Sequence, residues 1–284
     1  MSNPSNGSSN STNKMSDENY LHGYSKVEQD RLRHQARFTE QSIYRNIDLT
    51  GVDTLLEVGV GVAAQSEIIL RRYPDLKIIG IDQNEIQLQS ARESLDSIPW
   101  AKGRYELLKM DAASMDFDSL RFDGAFICWV LEHVPTPERV LSEVRRVLKK
   151  GSRIFITEVM NHSFFLEPYS PNVWKYWMAL NDFQHEQTGD PFIGAKLGNL
   201  LLAQGFNDID TQVHTWHFDN RNPEKRKMYI DFWTTLMLSG KDQLLKSGAI
   251  DEETLQQAQK ELRQVAKDPN AVFYFSFMQA QAVR

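Results

Sequence analysis

The sequence predicts an α/β protein with a doubly wound, mostly parallel seven-stranded sheet and helical insertions that cover it as a lid. Between residues 51 and 159, short apolar runs alternate with amphipathic helical segments, and the connections between them are short. A strand followed by a helix and then by another strand returns to the same end of the sheet, so successive strands are parallel. A glycine-containing turn follows the first strand, as in folds that bind a ligand at that edge.

The predicted elements begin at residue 26, where apolar residues recur at helical spacing over 26–47 and predict one helix or a broken pair. The strands are predicted at 53–58, 77–82, 104–110, 122–129, 153–159, 206–217 and 272–282. The helices between and after them are predicted at 63–72, 84–95, 137–149 and 194–205, with two or three more within 223–268.

These elements divide the chain into seven predicted segments. The first is a disordered tail over 1–16, because its Ser-, Asn- and Gly-rich composition buries too little surface to offset the entropy of ordering. The others are an N-terminal helical cover (17–50), a ligand-binding core (51–159), an aromatic lid insertion (160–195), a helix and strand completing the core (196–217), a helical insertion (218–270) and a last strand (271–284).

Composition limits the partners and the location. The net charge of −6 gives no general positive field for a phosphate backbone, so we expect no nucleic acid partner. With Cys128 as the single cysteine, neither an internal disulfide nor a cysteine-built zinc site can form, and we expect no metal. No apolar run approaches the roughly 20 residues that span a bilayer, so we expect no membrane partner and a cytoplasmic location.

The turn after the first strand contains Gly59 and Gly61, which let a ligand approach the backbone closely. The glycines alone do not identify the ligand. Together with Ala64 and with Asp82 at the end of the second strand, they also satisfy the loose fingerprint of dinucleotide binding. An NAD-dependent enzyme is therefore one possible interpretation.

Glu57 argues against NAD as the cofactor. A carboxylate two residues before Gly59 would repel the pyrophosphate of NAD in a partly desolvated site. S-adenosylmethionine carries no phosphate, and its sulfonium and ammonium groups are positive. Asp82 can accept hydrogen bonds from the ribose hydroxyls, and Asp111 at the end of the third strand can accept one from the adenine amino group. Three acids at the carboxyl ends of three strands favour S-adenosylmethionine.

The string Leu55-Leu-Glu-Val-Gly-Val-Gly61, followed by Ile81-Asp82 and Met110-Asp111-Ala112, resembles the class I S-adenosylmethionine-dependent methyltransferases. The stretch 122–135 is most similar to the small-molecule branch that includes methyltransferases of ubiquinone and menaquinone biosynthesis. The segment Gly23-Tyr24-Ser25, with Arg31-Leu32 and Gln35, is similar to an N-terminal cofactor cover of some members. The resemblance implies a Rossmann-like fold. It also implies that further residues contact the cofactor, namely Tyr24, Arg33, Gln87, Ala112 and Trp129.

The sequence departs from the family pattern at the turn, where the usual third glycine is Ala63. We expect this alanine to restrict the approach of the backbone slightly. The end of the fourth strand also lacks the Asn/Asp-Pro-Pro-aromatic sequence of methyltransferases that act on amino groups of DNA, which agrees with the acidic net charge.

Three residues are candidates for catalysis, each with a structural interpretation beside the catalytic one. His133 follows the fourth strand and could face the methyl donor, or it could simply fix the turn before Pro135. Glu158 ends the fifth strand and could bind a cationic acceptor or take a proton, or it could be a solvated strand end. His185 is the candidate base on a lid helix, or a surface histidine; His22, beside the cover, is a weaker candidate.

The predicted function is transfer of a methyl group to oxygen or nitrogen of a small molecule, in secondary metabolism. The aromatic residues between Phe164 and Trp177 could line a pocket for a planar or cationic acceptor, or could belong to the core. The sequence is also compatible with a peptide or protein methyltransferase and with a catalytically silent regulator that binds S-adenosylmethionine.

Overall fold

The computed structural model describes residues 22–284 and contains one mixed sheet of eight strands. The strands are β1 (Thr54–Val58), β2 (Lys77–Asp82), β3 (Tyr105–Lys109), β4 (Phe122–Cys128), β5 (Leu148–Val159), β6 (Phe165–Glu167), β7 (Asn207–Phe218) and β8 (Val272–Val283). The first five are parallel in the order β3-β2-β1-β4-β5. Strand β8 is antiparallel to β5 on one edge and to β7 on the other.

This arrangement confirms the predicted doubly wound α/β fold and adds one short strand. β6 pairs with the start of β8, and only three residues form it, which is too few for a periodic pattern to predict. The seven longer strands correspond to the seven predicted ones. β5 begins five residues earlier than predicted, because Leu148 already pairs with Phe122 across an irregularity of the ladder.

Nine α-helices lie within the described residues. They are α1 (Lys26–Ile43), α2 (Ala64–Arg72), α3 (Glu85–Asp96), α4 (Pro137–Val147), α5 (Pro171–Glu186), α6 (Leu197–Ala203), α7 (Pro223–Ser239), α8 (Lys241–Ser247) and α9 (Glu252–Lys267). The predicted helix over 26–47 therefore ends at Ile43. The predicted tail over 1–16 lies outside the described residues.

Buried apolar side chains form two clusters. Successive side chains of a strand point to opposite faces, so Leu55 belongs to one cluster and Leu56 to the other. The first cluster includes residues of α1, α2, α3, α5, α7 and α9, and the second includes residues of α4 and α6. The sheet is therefore covered on both faces, as a largely parallel sheet must be.

The two insertions form one helical layer. Glu261 of α9 accepts hydrogen bonds from the backbone and side-chain nitrogens of Asn172 at 2.9 and 2.6 Å, and Lys175 donates to Thr254 at 2.8 Å. The hydroxyl of Tyr176 in α5 donates to the Met237 carbonyl in α7 at 2.8 Å. The boundaries of the predicted segments remain a prediction.

Candidate functional site

The turn after β1 owes its shape to two glycines with left-handed backbone, Gly59 at φ 68° and Gly61 at φ 52°. The amides of Gly59 and Val60 donate to the Ile81 carbonyl at 2.8 and 3.0 Å, so the turn is fixed to the end of β2. A Cβ on Gly59 would lie 2.5 Å from Cγ2 of Val130, whereas one on Gly61 would meet nothing within 4 Å. Gly59 is therefore required by packing, and Gly61 leaves the turn open on its other side.

Ala63 departs from the family pattern and also adopts the left-handed region, at φ 59°. It precedes α2 and makes no side-chain capping bond. This conformation costs an L-residue about 1–2 kcal/mol relative to a right-handed one. The usual glycine at this position would avoid that cost.

Glu57 lies beneath the turn, and only 3% of its surface is exposed. Its Oε2 accepts a hydrogen bond from the Ser66 hydroxyl in α2 at 2.6 Å. Burial raises the pKa of Glu57 to about 8, against the smaller opposing effect of the Ser66 bond. The protein alone therefore holds this carboxyl mainly protonated at pH 7, and a nearby cation would favour its ionised form.

Asp82 at the end of β2 connects the turn to the start of α3. Its two carboxylate oxygens accept from the amides of Gly61 at 2.8 Å and Asn84 at 2.9 Å. Burial raises the pKa of Asp82, and these backbone bonds oppose the rise. The Asn84 side chain in turn caps α3 by accepting from the Gln87 amide at 3.0 Å.

Asp111 lies beyond the end of β3 and is exposed. Its Oδ1 accepts from the side chain of Gln83 at 2.9 Å and from the Ala113 amide at 2.8 Å. Because Gln83 follows Asp82 directly, this bond brings the ends of β2 and β3 together. Ala112 is half-buried and packs against the second apolar cluster.

Two predicted cofactor residues carry buried polar atoms that make no hydrogen bond to the rest of residues 22–284. These atoms are Oε1 of Gln87 and Nε1 of Trp129. Trp129 adopts φ 58°, and its ring lies edge-to-face on Phe277 with centroids 5.5 Å apart. An orphaned buried donor or acceptor costs free energy unless a ligand or water satisfies it.

The N-terminal cover places Tyr24 half-buried just before α1. Arg33 points to α3, where it donates to Oγ of Ser90 at 2.6 Å, and it lines an open groove of about 400 Å³ between the two helices. The buried arginine of α1 is Arg31, which binds both carboxylate oxygens of Glu28 at 2.7 and 2.6 Å. The spacing of Glu28 and Arg31 by three residues was the signal in the sequence for this pair.

Glu158 is fully buried, so its interpretation as a solvated strand end is wrong. One of its oxygens accepts from the amides of Val130 at 2.8 Å and Leu131 at 2.6 Å. Burial and the neighbouring Glu132 raise the pKa of Glu158 well above its ordinary value. These contacts fix the segment after β4, and no sequence pattern indicates them because Glu158 and the two amides lie on different elements.

His133 lies in a short 3₁₀ turn after β4 and is half-buried. Its Nδ1 lies 3.4 Å from the side-chain nitrogen Nε2 of Gln184 in α5. Its own Nε2 lies 3.6 Å from Oε1 of Glu132. Nε2 of Gln184 also donates a hydrogen bond to Oε2 of Glu132 at 3.0 Å. The ring of His22 meets that of His133 edge-to-face, with centroids 6.3 Å apart.

His185 is exposed at the C-terminal end of α5, where Glu186 beside it is exposed as well. The adjacent Gln184 is the residue of this helix that reaches the segment after β4. The role of His185 as a base remains a prediction.

The aromatic residues of the 160–195 segment belong mainly to the core. Phe164 and Trp177 are 2% and 3% exposed and pack against Trp233 with ring centroids 5.9 Å apart in both cases. Phe273 and Phe275 of β8 complete this aromatic cluster. The core interpretation therefore accounts for the buried rings.

The described part of the chain contains neither a side-chain cluster suited to a metal ion nor a helix suited to a membrane span. Residues 22–284 contain no group of three or more His, Cys, Asp and Glu side chains placed to hold a metal ion. In the same range, no helix combines the length and the apolar character needed to cross a bilayer.

Comparison with known proteins agrees with this geometry. Residues 56–156 match the family model described as a methyltransferase domain. The chain is 35% identical over 108 residues to a phosphatidylethanolamine N-methyltransferase of Cereibacter sphaeroides, covering 38% of this chain and 50% of that protein. It is 32% identical over 133 residues to a demethylmenaquinone methyltransferase of Symbiobacterium thermophilum, covering 46% and 53%. The chain thus spans about half the length of these two relatives.

A solved structure supports the fold over more of the chain. Phosphoethanolamine N-methyltransferase 2 of Haemonchus contortus, in complex with S-adenosylhomocysteine, superposes with a TM-score of 0.53 at 18% identity, over 88% of this chain and 52% of that one. The chain carries a class I S-adenosylmethionine-dependent methyltransferase domain, and S-adenosylmethionine is its cofactor.

The residues around the turn fit this cofactor. Glu57 supplies a buried carboxyl that a cation would ionise, while Gly61 leaves room above the turn. Oε1 of Gln87 is a hydrogen-bond acceptor and Nε1 of Trp129 is a hydrogen-bond donor, and neither is satisfied by the described residues. A pyrophosphate would find no positive side chain among these groups.

Proposed function

We propose that the protein transfers a methyl group from S-adenosylmethionine to oxygen or nitrogen of a small molecule, an activity of EC class 2.1.1. The observation that carries this proposal is the enclosure of the polar groups after β4. Around the half-buried His133 lie His22 from the N-terminal segment and Gln184 from α5, and Ser239 at the end of α7 binds His22. An enclosed site suits a small acceptor, whereas a peptide requires an open groove.

In this proposal, Glu57, Asp82, Asp111 and Gln87 hold the cofactor at the carboxyl ends of β1, β2 and β3, together with Trp129 after β4. The bound cofactor supplies an electrophilic methyl group on a sulfonium. Glu158 holds the amides of Val130 and Leu131 and so keeps the segment that carries His133 in one conformation. Much of the catalysis is therefore positioning, because the methyl group is already activated.

The names of the relatives support a small acceptor, since one is a phosphatidylethanolamine N-methyltransferase and another a demethylmenaquinone methyltransferase. A role in secondary metabolism and a cytoplasmic location remain predictions. Fold likeness alone would not define the acceptor, because one fold carries many reactions.

An assay with a labelled methyl group tests the proposal. The protein is incubated with methyl-labelled S-adenosylmethionine and a panel of hydroxyl, amine and quinol acceptors, and the product is analysed by mass spectrometry. We expect label on an oxygen or nitrogen of a small molecule. Label found only on added peptides would support a peptide methyltransferase, and cofactor binding without any transfer would support the silent regulator.

A further inference from the structure

Within residues 22–284, three strands of the sheet pair with a neighbour on one side only, namely β3, β6 and β7. Two of these edges are protected against pairing with another chain. β3 is five residues long and exposes Glu106 and Lys109. β6 is three residues long, exposes Glu167 and is followed by Pro168. Short length, exposed charges and proline are devices with which proteins prevent edge-to-edge association.

The third edge, β7, lacks these devices over most of its length. The strand is 12 residues long, and its register against β8 shifts only near its beginning, between Asn207 and Asp210. From Thr211 to Phe218 the ladder is regular, and this stretch contains no Asp, Glu, Lys, Arg or Pro. A long, regular and uncharged edge presents a row of backbone donors and acceptors to which another strand can pair.

The side chains of this stretch also leave one face of the strand open. Alternate residues are exposed on that face: Thr211, Val213, Thr215 and His217. Val213, near the middle of the strand, has 57% of its surface exposed. On the opposite face Trp216 is buried, and its indole donates to the Ser42 hydroxyl of α1 at 3.0 Å. The described residues therefore cover one face of β7 and leave the other face uncovered.

The two halves of β7 differ in charge. Its beginning carries Asp208, which is exposed, and Asp210, which is half-buried. Its second half carries the exposed His217, and the exposed Arg45 lies close to His214, because burial and then the charge of Arg45 lower the pKa of His214. An antiparallel copy of β7 would bring the acidic beginning of each strand towards the basic half of the other, whereas a parallel copy would place acid beside acid.

We propose that the edge of β7 is the interface of a homodimer, in which β7 pairs antiparallel with β7 of a second copy about a two-fold axis. A two-fold interface uses the same surface of both subunits, so two identical edges can meet in this way. Directly opposite residues of an antiparallel pair lie on the same face, so the exposed rows of the two copies join and their Val213 side chains come close together.

The proposed dimer is weak and separate from the turn after β1. A strand pair of this length is small beside the roughly 1,200–2,000 Å² interface of a stable complex, so we expect the dimer to dissociate on dilution. In the sheet order β1-β4-β5-β8-β7, four steps separate β7 from β1. The inference therefore does not depend on the proposed methyl transfer.

Sedimentation of the full chain over about a hundredfold range of concentration tests the proposal. We expect the wild type to shift from monomer to dimer as its concentration rises. Val213→Lys places two ammonium groups close together at the axis and should raise the dissociation constant of the dimer by at least about tenfold. Val27→Lys is the matched control, because it adds the same charge at a valine of α1 that is 78% exposed, and it should leave the constant unchanged. Circular dichroism and thermal unfolding check that both variants fold.

Hydrogen exchange locates the interface. Amides of the stretch Thr211–Phe218 should become more protected as the concentration of the wild type rises, and those of Val213→Lys should not. Amides of β3, at the protected edge, should show no such dependence. A wild type that stays monomeric overturns the proposal, and so does a dimer that Val213→Lys leaves unchanged. Protection of β7 that is equal at every concentration, or that appears only when a different protein is added, assigns the edge to another occupant and also overturns it.

Discussion

The proposed cofactor half of the molecule and its proposed acceptor half are built in different ways. The cofactor half comprises the ends of β1, β2 and β3, where Glu57, Asp82 and Asp111 follow one another within a single stretch of alternating strands and helices. The acceptor half comprises the segment after β4 with His22, Gln184 and Ser239 around it, and the His22–Ser239 contact alone spans 217 positions. The carboxyl ends of parallel strands lie at one edge of the sheet, so motifs that follow successive strands are close together in the fold. The acceptor half depends instead on packing between segments that are far apart in the sequence.

The largest effect is expected from Gly59→Ala, which affects the contact where the two halves meet. A Cβ there would overlap Val130 and would also carry a side chain at φ 68°. Overpacking and left-handed strain together should destabilise the protein by about 2–5 kcal/mol, and calorimetric binding of S-adenosylmethionine should weaken by more than tenfold. Gly61→Ala is the control, because its Cβ meets nothing within 4 Å and only the strain remains. Equal effects of both substitutions would contradict the role of Val130.

In the acceptor half, Glu158→Ala removes the carboxyl oxygen to which the backbone amides of Val130 and Leu131 donate hydrogen bonds. Each unsatisfied donor costs at least about 1 kcal/mol, so unfolding by denaturant should show a loss of at least about 2 kcal/mol. Glu158→Gln keeps an oxygen at the same place and should lose much less. If Glu158 instead bound a cationic acceptor directly, Glu158→Gln would abolish turnover while leaving stability intact.

Glu57→Gln should separate stability from cofactor binding in the other half. With a pKa of about 8 in the fold and 4.5 ordinarily, Glu57 keeps a proton on folding that the unfolded chain has lost between these pH values. Wild-type stability therefore falls as pH rises through this window, by up to about 1.4 kcal/mol per pH unit. Glutamine does not titrate, so the variant should be more stable than the wild type at pH 8 and show no such advantage at pH 4.5.

The same substitution removes the carboxylate that would face the cation, so affinity for S-adenosylmethionine should fall by about tenfold, or ~1.4 kcal/mol. Thermal unfolding at several pH values and calorimetry measure the two effects separately. A variant that is less stable than the wild type at pH 8 would contradict the buried, protonated carboxyl.

The smallest effect is expected from Ala63→Gly, which restores the usual glycine of the turn. Relief of the left-handed strain at φ 59°, less the added flexibility of the unfolded chain, should stabilise the protein by about 0.5–1 kcal/mol. Thermal unfolding should show a rise of about 1–3 °C. Ala64→Gly, at the first residue of α2, is the contrasting change, because no left-handed strain is relieved there and we expect no stabilisation.

The sheet could be predicted because buried parallel strands appear as continuous apolar runs between glycines, prolines and amphipathic helices. β2 is predicted at residues 77–82, where the structure has it. β6 is not predicted, because three residues carry no period. The full extent of α5 is also missed, because its aromatic residues follow a weak helical pattern and the helix is apolar on most of its sides.

In the site, sequence reasoning found the acids and glycines of the turn, since their spacing is fixed by strand ends. It named Arg33 as a cofactor residue, which remains a prediction, and it gave Arg31 only as part of the resemblance to a cofactor cover, without its burial against Glu28. It could not find the partners of His22 and Glu158, because hydrogen bonds to Ser239 and to the amides after β4 leave no pattern in the chain.

Calorimetric titration of the wild type, Glu57→Ala and Asp82→Ala with S-adenosylmethionine tests the central claim most directly. Each alanine removes one of the acids that hold the turn or face the cation, with Ser66 and Gly61 as their respective partners. We predict that the wild type binds S-adenosylmethionine with release of protons below pH 8, and that both variants bind it at least tenfold more weakly. Unchanged affinity in both variants would contradict this account of the cofactor site.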